Sequence, residues 1–209
     1  MTHWYLQLRR KQQYFRTISG ESDRLNRLVE NILDFSKIEA GMKEYRMEEA
    51  DVAALSRDVA SRLLEQPAYS KVALNTEIAE GMPKISLDPE AFSRALFNLL
   101  DNAAKYSGQN PQITLRTWSE AGEVCLQVED NGIGISPADR KRIFEKFYRS
   151  EAAMAGNVKG SGIGLTLVDH IVKAHGGKIS LESEPGKGTK VTIRLPLRPA
   201  QKSREDRHG

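Results

Sequence analysis

Asn98, Asn102 and Lys105 are spaced four and then three residues apart, so they share one face if their segment is helical. An amide oxygen is a neutral, hard ligand suited to magnesium, which keeps several waters and also takes phosphate oxygens. A lysine one turn further on supplies a point charge for phosphate. The same three residues would also serve as the polar outer face of an amphipathic helix. Asp130 ends an apolar run and is followed by Asn131-Gly132-Ile133-Gly134. A carboxylate at a rigid strand end can accept a hydrogen bond from the exocyclic amine of adenine, and a bond to a charged group is worth roughly 1.5–3 kcal/mol. The glycines let backbone approach a flat ring, although Asp-Asn-Gly is also an ordinary acidic turn.

Two further segments extend the pattern. Gly160-Ser161-Gly162-Ile163-Gly164-Leu165 leads into a helix, and backbone amides at a helix start bind phosphate. The residues before it, 150 to 159, lack an apolar pattern and read as a mobile lid or as a plain surface loop. Ile143 to Arg149 precedes them. Its aromatic residues could anchor the lid, with Arg149 reaching a terminal phosphate, or it could be a short helix with Phe144 and Phe147 facing the core. Gly186-Lys187-Gly188-Thr189 closes the series. Together these motifs describe a pocket for a nucleotide, its magnesium and a flap. The glycine spacing does not fit the dinucleotide fingerprint, and no phosphate-loop signature is present.

The elements that must hold this pocket are legible from periodicity and caps. From residue 14 to 38, Ile18, Leu25, Leu28, Ile32 and Phe35 follow helical spacing, and Val29, Leu33 and Ile38 widen the stripe. Gly41 is a stop signal. A stripe this broad needs the following domain or another chain to cover it. Beyond Gly41, residues 44 to 49 suggest a short strand, and Asp51 can cap a helix to about residue 65. Strands follow over 72–78 and 85–87. Asp88-Pro89-Glu90 starts the helix that carries the asparagines. Residues 113–118 and 124–128 form a hairpin joined near Gly122. Pro137 opens a short helix to Phe147. A helix over 163–174 stops at Gly176-Gly177, and a last hairpin turns at Pro185-Gly186. The expected fold is α+β, a two-layer α/β sandwich with helices on one face of a mixed sheet, preceded by a long N-terminal helix.

Composition narrows the class. The 209 residues are 39% hydrophobic and 28% charged, ordinary for a globular chain. No apolar run approaches the roughly 20 residues that cross a bilayer, and no secretory signal opens the sequence. Cys125 is the single cysteine, which excludes an internal disulfide and leads us to expect a reducing, cytoplasmic setting. Its strand-like surroundings make it core filler. A net charge of +3 is too small to argue for nucleic acid. The basic runs at 9–11 and 202–207 read as solvated ends, with 198–209 expected to be a disordered tail.

With these motifs in register, the chain resembles the sensor histidine kinases of two-component systems. Asn98 to Tyr106, Asp130 to Gly134, Ile143 to Arg149, Gly160 to Leu165 and Gly186 to Thr189 look like that family's N box, first glycine box, F box, second glycine box and third glycine motif. The resemblance covers roughly residues 45 to 196 and implies the Bergerat ATP-binding fold, with ATP and Mg2+ as cofactors. It implies Asn102 as metal ligand, Lys105 on phosphate, Tyr106 lining the base pocket, Asp130 on the adenine amine and Arg149 near the γ-phosphate. Gly162 and Gly164 would shape the lid. Gly132, Gly134, Ile135, Gly160, Leu165 and Thr189 complete the binding set, and Asn98 joins Lys105 and Arg149 as a catalytic group.

Residues 14 to 41 resemble the second helix of the family's dimerisation and phosphoacceptor hairpin. The Ser-His-Glu-[Leu/Phe]-[Arg/Lys]-x-Pro box of the first helix is absent. His3 lacks the neighbouring acid and the proline, and His170, His175 and His208 lie in the ATP domain or tail. His175, just before Gly176-Gly177, fits a helix end better than an acceptor. The expected domains are therefore 1–41, a partial dimerisation region; 42–197, the ATP-binding domain; and 198–209, the tail. The expected partner is a response-regulator receiver domain. Homodimerisation through the N-terminal helical region belongs to the intact protein and is weak or absent here, and membrane attachment comes only through a sensor region outside this sequence. A non-catalytic ATP-sensing module is the alternative. A hydrolase is the third reading, and there Asn98 would stand where a water-activating glutamate is needed, so hydrolysis should be slow.

Overall fold

The computed structural model describes residues 22, 25–26, 29–156, 158 and 160–197. The first element, α1, is helical through 29–39. Its stripe is divided. Leu25, Val29, Ile32 and Leu33 remain exposed, whereas Asp34 and Phe35 are buried and Ile38 packs on the core. Asp34 pairs with Lys43 at 2.9 Å and with Arg94, and Glu39 pairs with Lys146. Gly41 ends the helix at φ +67°, with Gly41 N–H to Ile38 C=O and Met42 N–H to Lys37 C=O closing a Schellman motif. The remaining positions of the expected N-terminal helix, the basic runs and the tail lie outside the described residues.

Three helices form one layer: α2 (Val52–Leu64), α3 (Pro89–Tyr106) and α5 (Gly164–Ala174), with a short α4 (Glu151–Ala155) before the last. Asp51 caps α2 by accepting from Ala54 N–H at 3.0 Å. Asp88 caps α3 by accepting from Ala91 N–H at 2.9 Å, with Pro89 in the first turn. α3 packs against both α2 and α5. The strands are β1 (Glu48–Ala50), β2 (Ala73–Ile78), β3 (Ile85–Leu87), β4 (Gln112–Glu120), β5 (Glu123–Asp130), β6 (Lys178–Glu184) and β7 (Gly188–Pro196). β1 and β3 form a small antiparallel pair. The main sheet runs β2-β4-β5-β7-β6, parallel between β2 and β4 and antiparallel elsewhere. The β4–β5 hairpin turns through Ala121 and Gly122, both at positive φ, the twist that a two-residue hairpin needs.

Helices cover one face of this sheet, as expected for an α/β sandwich. Leu63, Leu96, Leu100, Leu115, Leu126, Leu167 and Ile193 are fully buried between the layers. Two expectations fail locally. The strand proposed for 44–49 is confined to Glu48–Ala50, because Arg46 N–H is already bonded to the Asp88 carboxylate at 2.9 Å, outside the ladder. Residues 137–147 are turns with a single 3-10 turn at Arg142–Phe144, not an α-helix. Phe147 adopts φ +60°, incompatible with a continuing helix, and its N–H bonds Gly162 C=O at 3.1 Å. The residue is 66% exposed and its ring meets Phe35 of α1 edge-on at 6.4 Å, so it is not a core residue of the sheet-and-helix sandwich.

Candidate functional site

The cap at Asp88 fixes where α3 starts, and the helical period then sorts its side chains. Leu96, Leu99, Leu100 and Ala103 face the core. Asn98, Asn102 and Lys105 line a cavity of about 160 Å3, and so does Asp101. Asn98 is buried, and its amide nitrogen has no hydrogen-bond partner in the protein. Such an orphan is costly unless a ligand or ordered water meets it. The start of α5 closes in from the other side: a Cβ on Gly164 would stand 3.7 Å from Asn98 Oδ1 and 4.0 Å from Asn102 Nδ2.

Asp130 ends β5 in the same cavity. Its Oδ1 accepts from Gly132 N–H at 2.8 Å and from Thr189 N–H at 3.2 Å. Both donors use one oxygen and leave Oδ2 for an incoming donor. Burial lifts the carboxyl to about 6, against the pull of those two N–H groups, and the Glu129 charge adds to the rise. Gly134, Ile135 and Thr189 line the cavity, whereas Gly132 supports it through the bond to Asp130. Gly134 sits at φ +68° against backbone: a Cβ there would fall 1.9 Å from Glu184 C=O. Ile135 N–H is held by the buried Ser183 hydroxyl at 2.9 Å.

Another wall of the cavity comes from Tyr148 to Ala153 and from Gly160 to Leu165. Gly160, Gly162, Gly164 and Leu165 line the cavity, as do Tyr106 and Arg149. Burial raises the Tyr106 phenol, with the Arg149 guanidinium acting against the rise. Arg149 donates to the Val158 carbonyl and, at 3.4 Å, to the Ala153 carbonyl, so it braces the segment that carries α4. Its Nε is buried without a partner. Gly162 is pressed against Phe147, whose backbone would lie 2.7 Å from a Cβ. All the predicted site residues except Gly132 therefore meet in one cavity. Asp101, Tyr148, Ser150 and α1's Asn31 line it too; the sequence motifs give Tyr148 only a lid-anchoring part and the other three none. Asp101 lay inside a motif without an assigned part. Asn31 becomes visible only once α1 is docked.

His175 is excluded as a free imidazole. Its Nε2 accepts from Asp88 N–H at 2.9 Å, and its Nδ1 lies 2.6 Å from Ile171 C=O, which fixes the neutral Nδ1–H tautomer. It ends α5 and locks that end to the cap of α3.

Residues 87–199 match the family described as histidine kinase-, DNA gyrase B- and HSP90-like ATPases. The chain belongs to this family. Residues 5–41 match the His kinase A phosphoacceptor domain. Sensor protein RprX of Bacteroides fragilis is 37% identical over 88% of this chain and 37% of its own length. The alginate biosynthesis sensor protein KinB of Pseudomonas aeruginosa is 32% identical over 90% of this chain and 31% of its own. This chain thus spans about a third of each of these relatives. Among solved structures, full-length ShkA in complex with AMPPNP superposes with a TM-score of 0.73 at 27% identity, over 90% of this chain and 39% of that one. The two-layer ATPase fold is thereby established. Among the described residues no helix is long and apolar enough to cross a membrane.

Proposed function

We propose that this chain is the ATP-binding, phosphoryl-donating part of a two-component sensor histidine kinase. It holds Mg-ATP and presents the γ-phosphate to a histidine outside this chain, for relay to an aspartate of a response-regulator receiver domain. The observation that carries the reading is a single cavity that Asp130 shares with Asn102, Lys105 and the glycine-rich start of α5. The binding of AMPPNP by ShkA supports it.

Asp130 Oδ2 accepts from the adenine amine and fixes the base. Tyr106 lines that pocket. Lys105 and the α5 amides take phosphate oxygens, a helix start being a natural anion site. Magnesium fits the donor set: an amide oxygen from Asn102 beside phosphate oxygens, with the orphaned Asn98 amide free to orient a ligated water or phosphate. When bound, the metal neutralises charge on the transferring phosphoryl group. Asn98 offers no base to activate water, so the site favours transfer over hydrolysis. Arg149, released from Val158, reaches the γ-phosphate. Most of the catalysis is positioning.

The phosphoacceptor match at 5–41 supports homodimerisation through the N-terminal helical region. The test is incubation with magnesium and γ-labelled ATP, with and without an acceptor hairpin. Label confined to the hairpin, acid-labile and alkali-stable, is expected. Label on this chain alone would make it a self-sufficient kinase, and no ATP binding would reject the reading.

A further inference from the structure

Tyr69, buried in the turn that follows α2, donates its hydroxyl to Asp101 Oδ1 at 2.7 Å. Its ring stands edge-on to Phe97 at 6.3 Å, which fixes the hydroxyl in place. The second oxygen, Oδ2, takes the Lys105 ammonium. The Asp101 side chain is only 14% exposed, and Asp101 and Lys105 both line the cavity. A carboxylate is thus anchored by its own donor at the place where a lysine is to meet phosphate. Chemically this is a contradiction: the carboxylate repels the anion that the lysine attracts, and it holds the lysine back.

We propose that Asp101 is the specificity-determining residue that makes this site demand magnesium-bound rather than bare nucleotide. A bare triphosphate meets the carboxylate uncompensated and must also strip Lys105 from it. A magnesium-bound triphosphate carries less negative charge, and its hydrated dication is attracted by the same carboxylate. The partly buried setting strengthens both effects over their value in water. Tyr69 keeps the charge in position but supplies none of it. The proposal rests on the assignment of the cavity as an ATP site.

The test is calorimetric titration of the whole chain with ATP, once in magnesium and once in EDTA. The quantity read is the ratio of the two dissociation constants, which a purely structural disturbance does not move. Asp101→Asn is expected to tighten binding in EDTA on the order of tenfold while binding in magnesium changes little, so the ratio collapses. Asp101→Ser removes the same charge with a different shape and gives the same result if the asparagine variant is poorly folded. Tyr69→Phe, which leaves the charge, keeps the ratio. A ratio unchanged in both Asp101 variants overturns the proposal, and so does an equal collapse in Tyr69→Phe. Wild-type chain that binds no ATP in either buffer overturns the site assignment along with it. Wild-type chain that binds, with an unaltered ratio in the variants, overturns only the part given to Asp101.

Discussion

Asp130 answers two opposing demands. In the proposed site it must be charged on Oδ2 to accept from an amine, yet burial lifts its carboxyl to about 6. The unfolded carboxyl titrates near 3.8 and the folded one near 6, so between those values the folded state holds the extra proton. Its contribution to stability is therefore greatest at low pH and is lost as the pH rises through about 6. The ligand runs the other way. With Oδ1 taken by two N–H groups, protonation falls on Oδ2 and blocks the amine. ATP affinity should drop as the pH falls below about 6, measured by titration between pH 5 and 8. Asp130→Asn should lose ATP binding at every pH, yet gain on the order of 1–2 kcal/mol of stability at pH 7, read by thermal melts. At Gly134 a Cβ would strike the Glu184 carbonyl, so Gly134→Ala should cost at least about 2 kcal/mol in urea unfolding. The gathering of Asp130, Asn102 and Lys105 into one cavity was legible in the sequence because it follows from spacing along one helix and from one strand end. Tyr69's hold on Asp101 was not, since it joins residues 32 apart through tertiary packing.

Elements were legible where a single residue announces a boundary. Asp51 and Asp88 cap their helices with the expected N–H groups, and Gly41 and Gly176 stop theirs with paired carbonyl bonds. Those signals are local and survive tertiary packing. Residues 137–147 carried such a signal and did not follow it. There the proline promised a helix, but contacts with distant partners decide the path: Arg140 to the Ser183 carbonyl and Phe147 to Gly162. Asp88 also binds Arg46 N–H, so Asp88→Ala should cost about 1–2 kcal/mol in unfolding experiments and loosen the β1–β3 pair with α3. The segment carrying α4 has a different dependence. Its brace is Arg149, so Arg149→Ala should speed proteolytic cleavage within 150–160 in the absence of nucleotide, read by timed digestion and mass spectrometry.

At the scale of the molecule, α1 is the piece least satisfied by its own chain. Leu25, Val29 and Leu33 each expose more than half of their surface while Phe35 and Asp34 are fastened to the ATP domain. An apolar stripe of this kind favours self-association. Light scattering at rising concentration should show mass above that of a monomer, and Val29→Glu with Leu33→Glu should remove it without altering ATP binding. The broad stripe was plain from helical spacing, but which half would find cover was not, because that depends on ion pairs with Arg94 and Lys146. The register of the sheet has a consequence for how the chain is made. β7 sits beside β5 and places Thr189 N–H on the Asp130 carboxylate, although nearly sixty residues of chain are synthesised between them. A nascent chain emerging from the ribosome has its asparagines and Asp130 well before that bond can form. Asp130 therefore gains the second of its two N–H donors only once the last hairpin has been made and has paired with β5, and vectorial synthesis leaves the carboxylate half-held until then.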